Sequence, residues 1–298
     1  MLSKKVMGSK ISTLRKREAA IKPKMLSKRA ADAILLFCVG SIIALTVLFL
    51  VLPVIVTIFM AFDARDYIGP FPPTNLSTKW FGKLWDDSYL WYGFNNSLLL
   101  ATTVTTVATV LGASAGLAIS RMPPRWRDLT TTAFLSPLVL PGVVIGFGLL
   151  MFLSMFDALP VFAKLVVGHL IVTIPYTIRM SLVGLAGVSA TLVEAALSLG
   201  ANERQTFFTI TLPLAKNGIA AGAIFAFAFS MDDLTISLFL SDYNTYTLPV
   251  ALTSLIRSNF ELTIAAAAVG LMGLTVILLV VLDRVIGIER AIGRIYRG

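Results

Sequence analysis

Residues 218–240 read GIAAGAIFAFAFSMDDLTISLFL, and apart from two adjacent carboxylates, Asp232 and Asp233, the stretch is uncharged. It is long enough to cross a bilayer, because a helix rising 1.5 Å per residue needs roughly 20 apolar residues to traverse a hydrocarbon core of about 30 Å. Stretches of the same kind recur at 34–62, 97–120, 133–153, 164–187 and 263–282. Composition agrees, since 57% of the 298 residues are hydrophobic and 14% are charged, too few charges to wet the surface of a soluble domain. The sequence therefore predicts an all-α integral membrane protein with six transmembrane helices.

Orientation follows from the basic residues between the spans. With the N-terminus in the cytoplasm, the ten basic residues from Lys4 to Arg29 fall inside, as do Arg121, Arg125, Arg127, Arg179, Arg204, Lys216, Arg284, Arg290, Arg294 and Arg297. Arg65, Lys79, Lys83, Lys164 and Arg257 fall outside. Both termini are thus expected to be cytoplasmic. The expected organisation is a basic tail at 1–32, a first transmembrane helix at 33–62, a periplasmic loop at 63–96, a five-helix core at 97–287 and a tail at 288–298. The first span is too long for the apolar region of a cleaved signal and has no small-residue cleavage pattern behind it, so it reads as a retained anchor.

The net charge of +9 is a property of the first tail. A basic segment fused to a membrane span finds its partner in anionic lipid, at up to about 1 kcal/mol per residue near the surface. The tail has no aromatic residues to stack on bases, which argues against nucleic acid. The single cysteine, Cys38, provides no disulfide or metal framework. The single histidine, His169 in the fourth span, reads as a satisfied packing residue rather than a ligand or base.

Two catalytic patterns fail on context. Gly112-Ala113-Ser114-Ala115-Gly116 matches the G-x-S-x-G of serine hydrolases, but a nucleophile elbow needs a strand-to-helix turn, and these residues continue an apolar helix. They read instead as a small-residue face for close helix contact, repeated at Gly142/Gly146 and Gly218/Gly222. Phe81-Gly82-Lys83-Leu84 lacks the glycine spacing and the Ser/Thr of a P-loop. No catalytic, metal or cofactor site is expected on this chain, and a nucleotide that powers transport would be bound elsewhere.

Between the fourth and fifth spans lies VEAALSLGANERQTFFTITLPLAKNG, residues 193–218. Glu194 to Leu199 is a run of helix formers stopped by Gly200, which tolerates the left-handed conformation of a helix C′ position. Asn202 is placed to cap a second helix, with Gln205 completing a capping box. Leu212 precedes Pro213, which disfavours further helix. Ala195 and Ala196 permit close approach of another surface, and Phe207 and Phe208 supply apolar bulk. The segment is a docking element or a hairpin lying on the membrane.

The chain resembles the permease subunits of bacterial type I ABC importers. Their cytoplasmic loop carries E-A-A, a Gly six positions after the Glu, and I-x-L-P, matched here by Glu194-Ala195-Ala196, Gly200 and Ile210-Thr211-Leu212-Pro213. The resemblance, which covers about 97–282, implies a type I ABC importer permease fold. It further implies that the loop at 189–217, with Glu194, Ala195, Ala196, Gly200, Ala201, Phe207, Ile210, Leu212 and Pro213, docks on an ATPase subunit. The implied partners are a second permease, two ATPase subunits that bind ATP and Mg, and a periplasmic solute-binding protein. Trp80, Trp85 and Trp91 in the outer loop either contact that protein or form an interfacial belt.

Within the family the chain looks like the spermidine/putrescine branch, on Ser230-Met231-Asp232-Asp233 and Thr247-Leu248-Pro249. Asp232 lies about 21 Å along a helix from Gly218, where an unpaired acid facing lipid costs a few kcal/mol. Adjacent helix positions point about 100° apart, so one carboxylate can line a pathway while its neighbour bonds another helix; alternatively both cap a broken helix. Ser230, Asp232 and Asp233 are the candidate pathway residues, suited to an amine-bearing solute. The branch tends to carry Pro-Asp in the third span where this chain has Pro141-Gly142, which leaves room for opines or aminoethylphosphonate. A self-contained secondary transporter using either acid as a proton site is the other reading, and it would not require the docking loop.

Overall fold

The computed structural model describes residues 28–156, 158–258 and 261–286. Among them every regular element is helical, apart from one isolated bridge between Asp63 and Leu76. The helices are α1 (Lys28–Ala61), α2 (Lys79–Asp86), α3 (Ser88–Ser120), α4 (Pro124–Leu135), α5 (Gly142–Leu153), α6 (Val161–Ala186), α7 (Ala190–Ser198), α8 (Glu203–Thr206), α9 (Leu212–Asp232), α10 (Thr235–Leu240), α11 (Leu248–Ser258) and α12 (Thr263–Ile286). The chain divides into two compact units at Val56/Thr57. The first contains most of α1, whose apolar side chains are exposed around the helix. Residues 1–27 and 287–298, which carry most of the charge expected to be cytoplasmic, lie outside the described residues.

In the second unit α3, α6 and α9 pack on one another through small residues. Thr177 Oγ1 donates to the Ala108 carbonyl at 2.8 Å. A Cβ at Gly112 would meet Thr177 Oγ1 at 2.0 Å, and one at Gly116 would meet Ser181 at 3.0 Å. Residue numbers rise together along this contact, so α3 and α6 are parallel. Gly218 opposes Gly184 and Gly222 opposes Thr177 and Met180, so α9 runs antiparallel to both. The glycine pairs anticipated as contact faces therefore do serve as such, including Gly142 against Thr235 and Gly146 against Phe239. Leu100, Val104, Leu165, Val172, Ile236 and Leu240 fill the core beside them.

Because α3 and α6 are parallel, the chain must return between them from the Ser120 end to the Val161 end. It does so in a bent crossing rather than the straight third span expected: Pro124–Val139 and Gly142–Leu153 meet at 93°. A 3₁₀ turn at Ser136–Val139 contains Pro137, and Leu140 is extended at ψ 139, as a residue before proline prefers.

Other boundaries also move. The second span begins at Ser88, nine residues before the expected 97, because Asp87 accepts from the Tyr89 and Leu90 amides and starts the helix there. The fifth span does not run unbroken to Leu240, and α9 ends at Asp232 before α10 begins at Thr235. Pro213 does not stop its helix. A π-helical turn at Phe207–Thr211 precedes it, in which the Leu212 amide reaches back to the Phe207 carbonyl. Widening the turn there places Pro213 at the start of renewed α geometry, where its missing N–H is tolerated.

Among the described residues four helices are long and apolar enough to cross a membrane, and the bent pair makes a fifth. The sixth expected span corresponds to α12, whose apolar part over Thr263–Leu278 is shorter.

Candidate functional site

The segment from Ala190 to Thr211 folds from local chemistry. At the end of α7 the Ala201 amide donates to the Ala196 carbonyl (3.1 Å) and the Gly200 amide to the Leu197 carbonyl (3.0 Å), the reciprocal pair of a Schellman cap. Gly200 adopts φ +91°. Nothing lies within 4 Å of where its Cβ would be, so conformation rather than space calls for glycine. Asn202 Oδ1 then accepts from the Gln205 amide (2.8 Å) and Gln205 Oε1 from the Asn202 amide (2.9 Å), the capping box expected for α8.

Glu194, Ala195 and Pro213 are exposed, whereas Ala196, Ala201, Ile210 and Leu212 are half-buried. Leu199 is 89% exposed at the tip of the turn. The two phenylalanines separate: Phe208 is 55% exposed, while Phe207 lines a cavity of about 90 Å³ with Ser114, Leu117, Leu185 and Ile219. Ser114 sits on that cavity within continuous helix, which removes the serine-nucleophile reading.

The break in the fifth span separates the two acids. Asp233 is extended (φ −67°, ψ 116°), its side chain is 6% exposed, and its Oδ2 accepts from the Ile236 and Ser237 amides at 3.0 Å each. It takes amides that would otherwise continue the helical ladder, which ends α9 and starts α10. Asp232 remains exposed at the end of α9. It shares a helical stripe with Phe225 and Phe229, three and four positions apart. The Tyr176 ring on α6 packs on both, with centroids 4.2 and 6.1 Å away. The C-terminal end of α9 adds partial negative charge beside the Asp232 carboxylate. Gly142, where the branch tends to carry an acid, abuts Thr235 at this break.

Ser230, the third candidate pathway residue, is buried and bonded to His169. His169 is fully buried, with Nδ1 2.8 Å from Ser230 Oγ, Nε2 3.0 Å from Ser237 Oγ and Nε2 3.6 Å from Asp233 Oδ2. The link was not legible in the sequence, where a lone histidine has no visible partner.

At the opposite end from the 189–217 segment, the expected periplasmic loop is a folded cap. Asp63 is buried and accepts from Arg65 Nε through both oxygens (2.9 and 2.8 Å), and Trp80 Nε1 donates to the Asp63 carbonyl at 2.7 Å. The Arg65 hydrogen bonds hold the Asp63 carboxyl below the usual carboxylate range. Trp80 is 5% exposed and packs on Ala61, Leu262 and Ala266, so it joins neither an interfacial belt nor an outer contact surface. Trp85 is exposed, and its carbonyl accepts from Trp91 Nε1. The helix α11, unanticipated in the sequence, docks through its Leu248 amide on the buried Ser97 hydroxyl at 2.9 Å.

Comparison with known proteins bears on the family and the fold. The chain is 30% identical over 239 residues to the putrescine transport system permease protein PotI of Escherichia coli K12, covering 76% of this chain and 84% of that one. It is 25% identical over 232 residues to the spermidine/putrescine transport system permease protein PotC of the same organism, covering 78% and 87%. Its fold is similar to a chain of the bacterial alginate ABC transporter in complex with alginate pentasaccharide-bound periplasmic protein, with a TM-score of 0.64, 18% identity and 88% and 96% coverage. Such relatives give no support to a self-contained secondary transporter. Residues 108–287 match the family model described as the binding-protein-dependent transport system inner membrane component, and the chain belongs to that family as a multi-pass permease subunit of the inner membrane.

Proposed function

We propose that this permease moves a small amine-bearing solute by alternating access, and that Asp232 is the carboxylate it presents to the amine. The separation of the two acids carries the reading. Asp233 is committed to backbone amides inside the fifth span, whereas Asp232 is free at a break in a membrane helix, beside the negative end of α9 and in line with Phe225 and Phe229. An exposed carboxylate at such a depth needs a cavity or a cation, and broken helices of this kind supply ion and solute sites in membrane transporters. The relatives are named for putrescine and spermidine, both amines. With glycine at 142, one carboxylate rather than two faces the break, which suits a single amine end and admits opines and aminoethylphosphonate beside polyamines.

The energy source lies on other chains. Two ATPase subunits, with their ATP and Mg, dock on the 189–217 segment from the cytoplasm through the exposed face of α7 around Glu194, Ala195 and Gly200. A second, homologous permease completes the pathway, and a periplasmic solute-binding protein delivers solute at the end that carries Asp63 and Trp85. Both termini are cytoplasmic in this scheme, and the basic tail rests on anionic lipid. The test is ATP-driven uptake by the complete complex in proteoliposomes, with a panel of amines and their neutral analogues. Asp232→Asn abolishes uptake and Asp232→Glu retains it if the reading holds; wild-type uptake by Asp232→Asn overturns it.

A further inference from the structure

His169 lies on α6, and its single ring reaches both halves of the broken fifth span: Ser230 in the last turn of α9 at 2.8 Å and Ser237 in the first turn of α10 at 3.0 Å. A neutral imidazole has one donor and one acceptor nitrogen. The Asp233 carboxylate, 3.6 Å from Nε2, favours the proton on that nitrogen. Nε2–H therefore donates to Ser237 Oγ, and the Ser230 hydroxyl donates to Nδ1.

The helix that carries the ring is a splint for both segments. A Cβ at Gly168 would meet Ile236 Cγ2 and Leu240 Cδ1 at 2.7 Å, so α10 sits directly on α6 beside the histidine. At the other end a Cβ at Gly218 would lie 2.5 Å from Gly184 Cα, so the backbones of α9 and α6 touch. α6 ends at Ala186, and after Gly187 and Val188 the chain reaches Ser189, which precedes α7. His169 stands 17 positions before Ala186, about 26 Å along the helix.

We infer that His169 is a positioning residue for transport: by tying both halves of the fifth span to α6, it passes displacement of α6 at the 189–217 segment to the break at which Asp232 is presented. The inference rests on the proposed role of Asp232 in the pathway. The buried hydroxyls of Thr177 and Thr173 on the same helix bond backbone carbonyls instead, those of Ala108 on α3 and of His169 within α6.

The experiment uses the complete complex in proteoliposomes in a Cys38→Ser background, which removes this chain's single native thiol, with labelling read on this chain alone. An Asp232→Cys substitution then reports exposure at the break through its rate of reaction with a cationic methanethiosulfonate, with and without MgATP trapped by vanadate. With His169 intact, the rate is expected to change about tenfold between the two nucleotide states, the scale of a typical coupling between sites. His169→Leu is expected to abolish that change while ATP hydrolysis continues, and His169→Gln to restore part of it through the bond to Ser237. If His169→Leu fails to assemble, the double variant Ser230→Ala/Ser237→Ala, which keeps the ring, is expected to show the same loss of response. A purely structural histidine would lower the yield of complex without changing the nucleotide response of what assembles. A rate that ignores nucleotide with His169 intact, or responds equally without both serine bonds, overturns the inference. No reaction in either state with His169 intact overturns the pathway reading itself.

Discussion

Asp232 and Asp233 show how two identical side chains one residue apart acquire different work. The Asp233 carboxylate is buried against two amides, and Asp233→Ala is expected to destabilise the permease by about 1 kcal/mol, in the range for loss of a helix cap, measured as a lower midpoint of thermal unfolding in detergent. Asp232→Asn is expected to leave that midpoint unchanged, because the exposed side chain supports no hydrogen bond in the fold. The two measurements together separate the acid that caps the helix from the one that supports no part of the fold. Gly200 makes a complementary case. With φ at +91° and open space around the Cβ position, Gly200→Ala is expected to cost about 1 kcal/mol through backbone conformation alone, read as faster proteolysis of the 189–217 segment. The requirement at Gly200 was legible because helix termination is local. The division between the acids was not, because a 100° difference in direction says nothing about which direction faces a cavity.

At the scale of helices, the glycine pairs were legible as contact faces, since small residues four apart on an apolar helix let backbones approach. Which helices meet was not. Gly218→Ala is expected to lose about 1–3 kcal/mol, the usual cost of overpacking, because the atoms that its Cβ would meet belong to the Gly184 backbone and the Met180 carbonyl. Gly270→Ala is expected to be tolerated, with nothing within 4 Å of its Cβ position. Comparing the yield of monodisperse complex for the two variants checks both statements. The bent third span and the break in the fifth escaped the sequence for a common reason. Hydropathy records that a stretch belongs in the membrane, not whether its backbone hydrogen bonds are continuous, and Pro213 shows the converse, where a residue that should end a helix is absorbed by a π turn.

At the scale of the whole molecule, the proposed function assigns opposite ends to different proteins, and the ends are built differently. The 189–217 end consists of local caps around exposed side chains, and replacing both Glu194 and Gly200 by Arg is expected to abolish co-purification of the ATPase while the permease itself remains folded. The opposite end closes over the buried Asp63–Arg65 pair. Hydrogen bonds from Arg65 lower the Asp63 pKa, so the pair contributes stability above the ordinary carboxylate range and loses it only as the pH falls below that range. Fluorescence of the cap tryptophans should accordingly stay constant from neutral pH to about pH 5, and Asp63→Asn should remove the transition seen at lower pH. By itself, the sequence determined that the chain is an all-helical membrane protein with a capped segment at 189–217 and acids in its fifth span, because those features depend on residue type and short-range spacing. Only the three-dimensional structure decided that Asp233 caps while Asp232 stays free, because residue type does not say which of two adjacent acids takes the Ile236 and Ser237 amides at a helix break; and only it decided that His169 joins the two halves of the span, because those contacts link residues more than sixty positions apart and form only when α6 packs on α9 and α10.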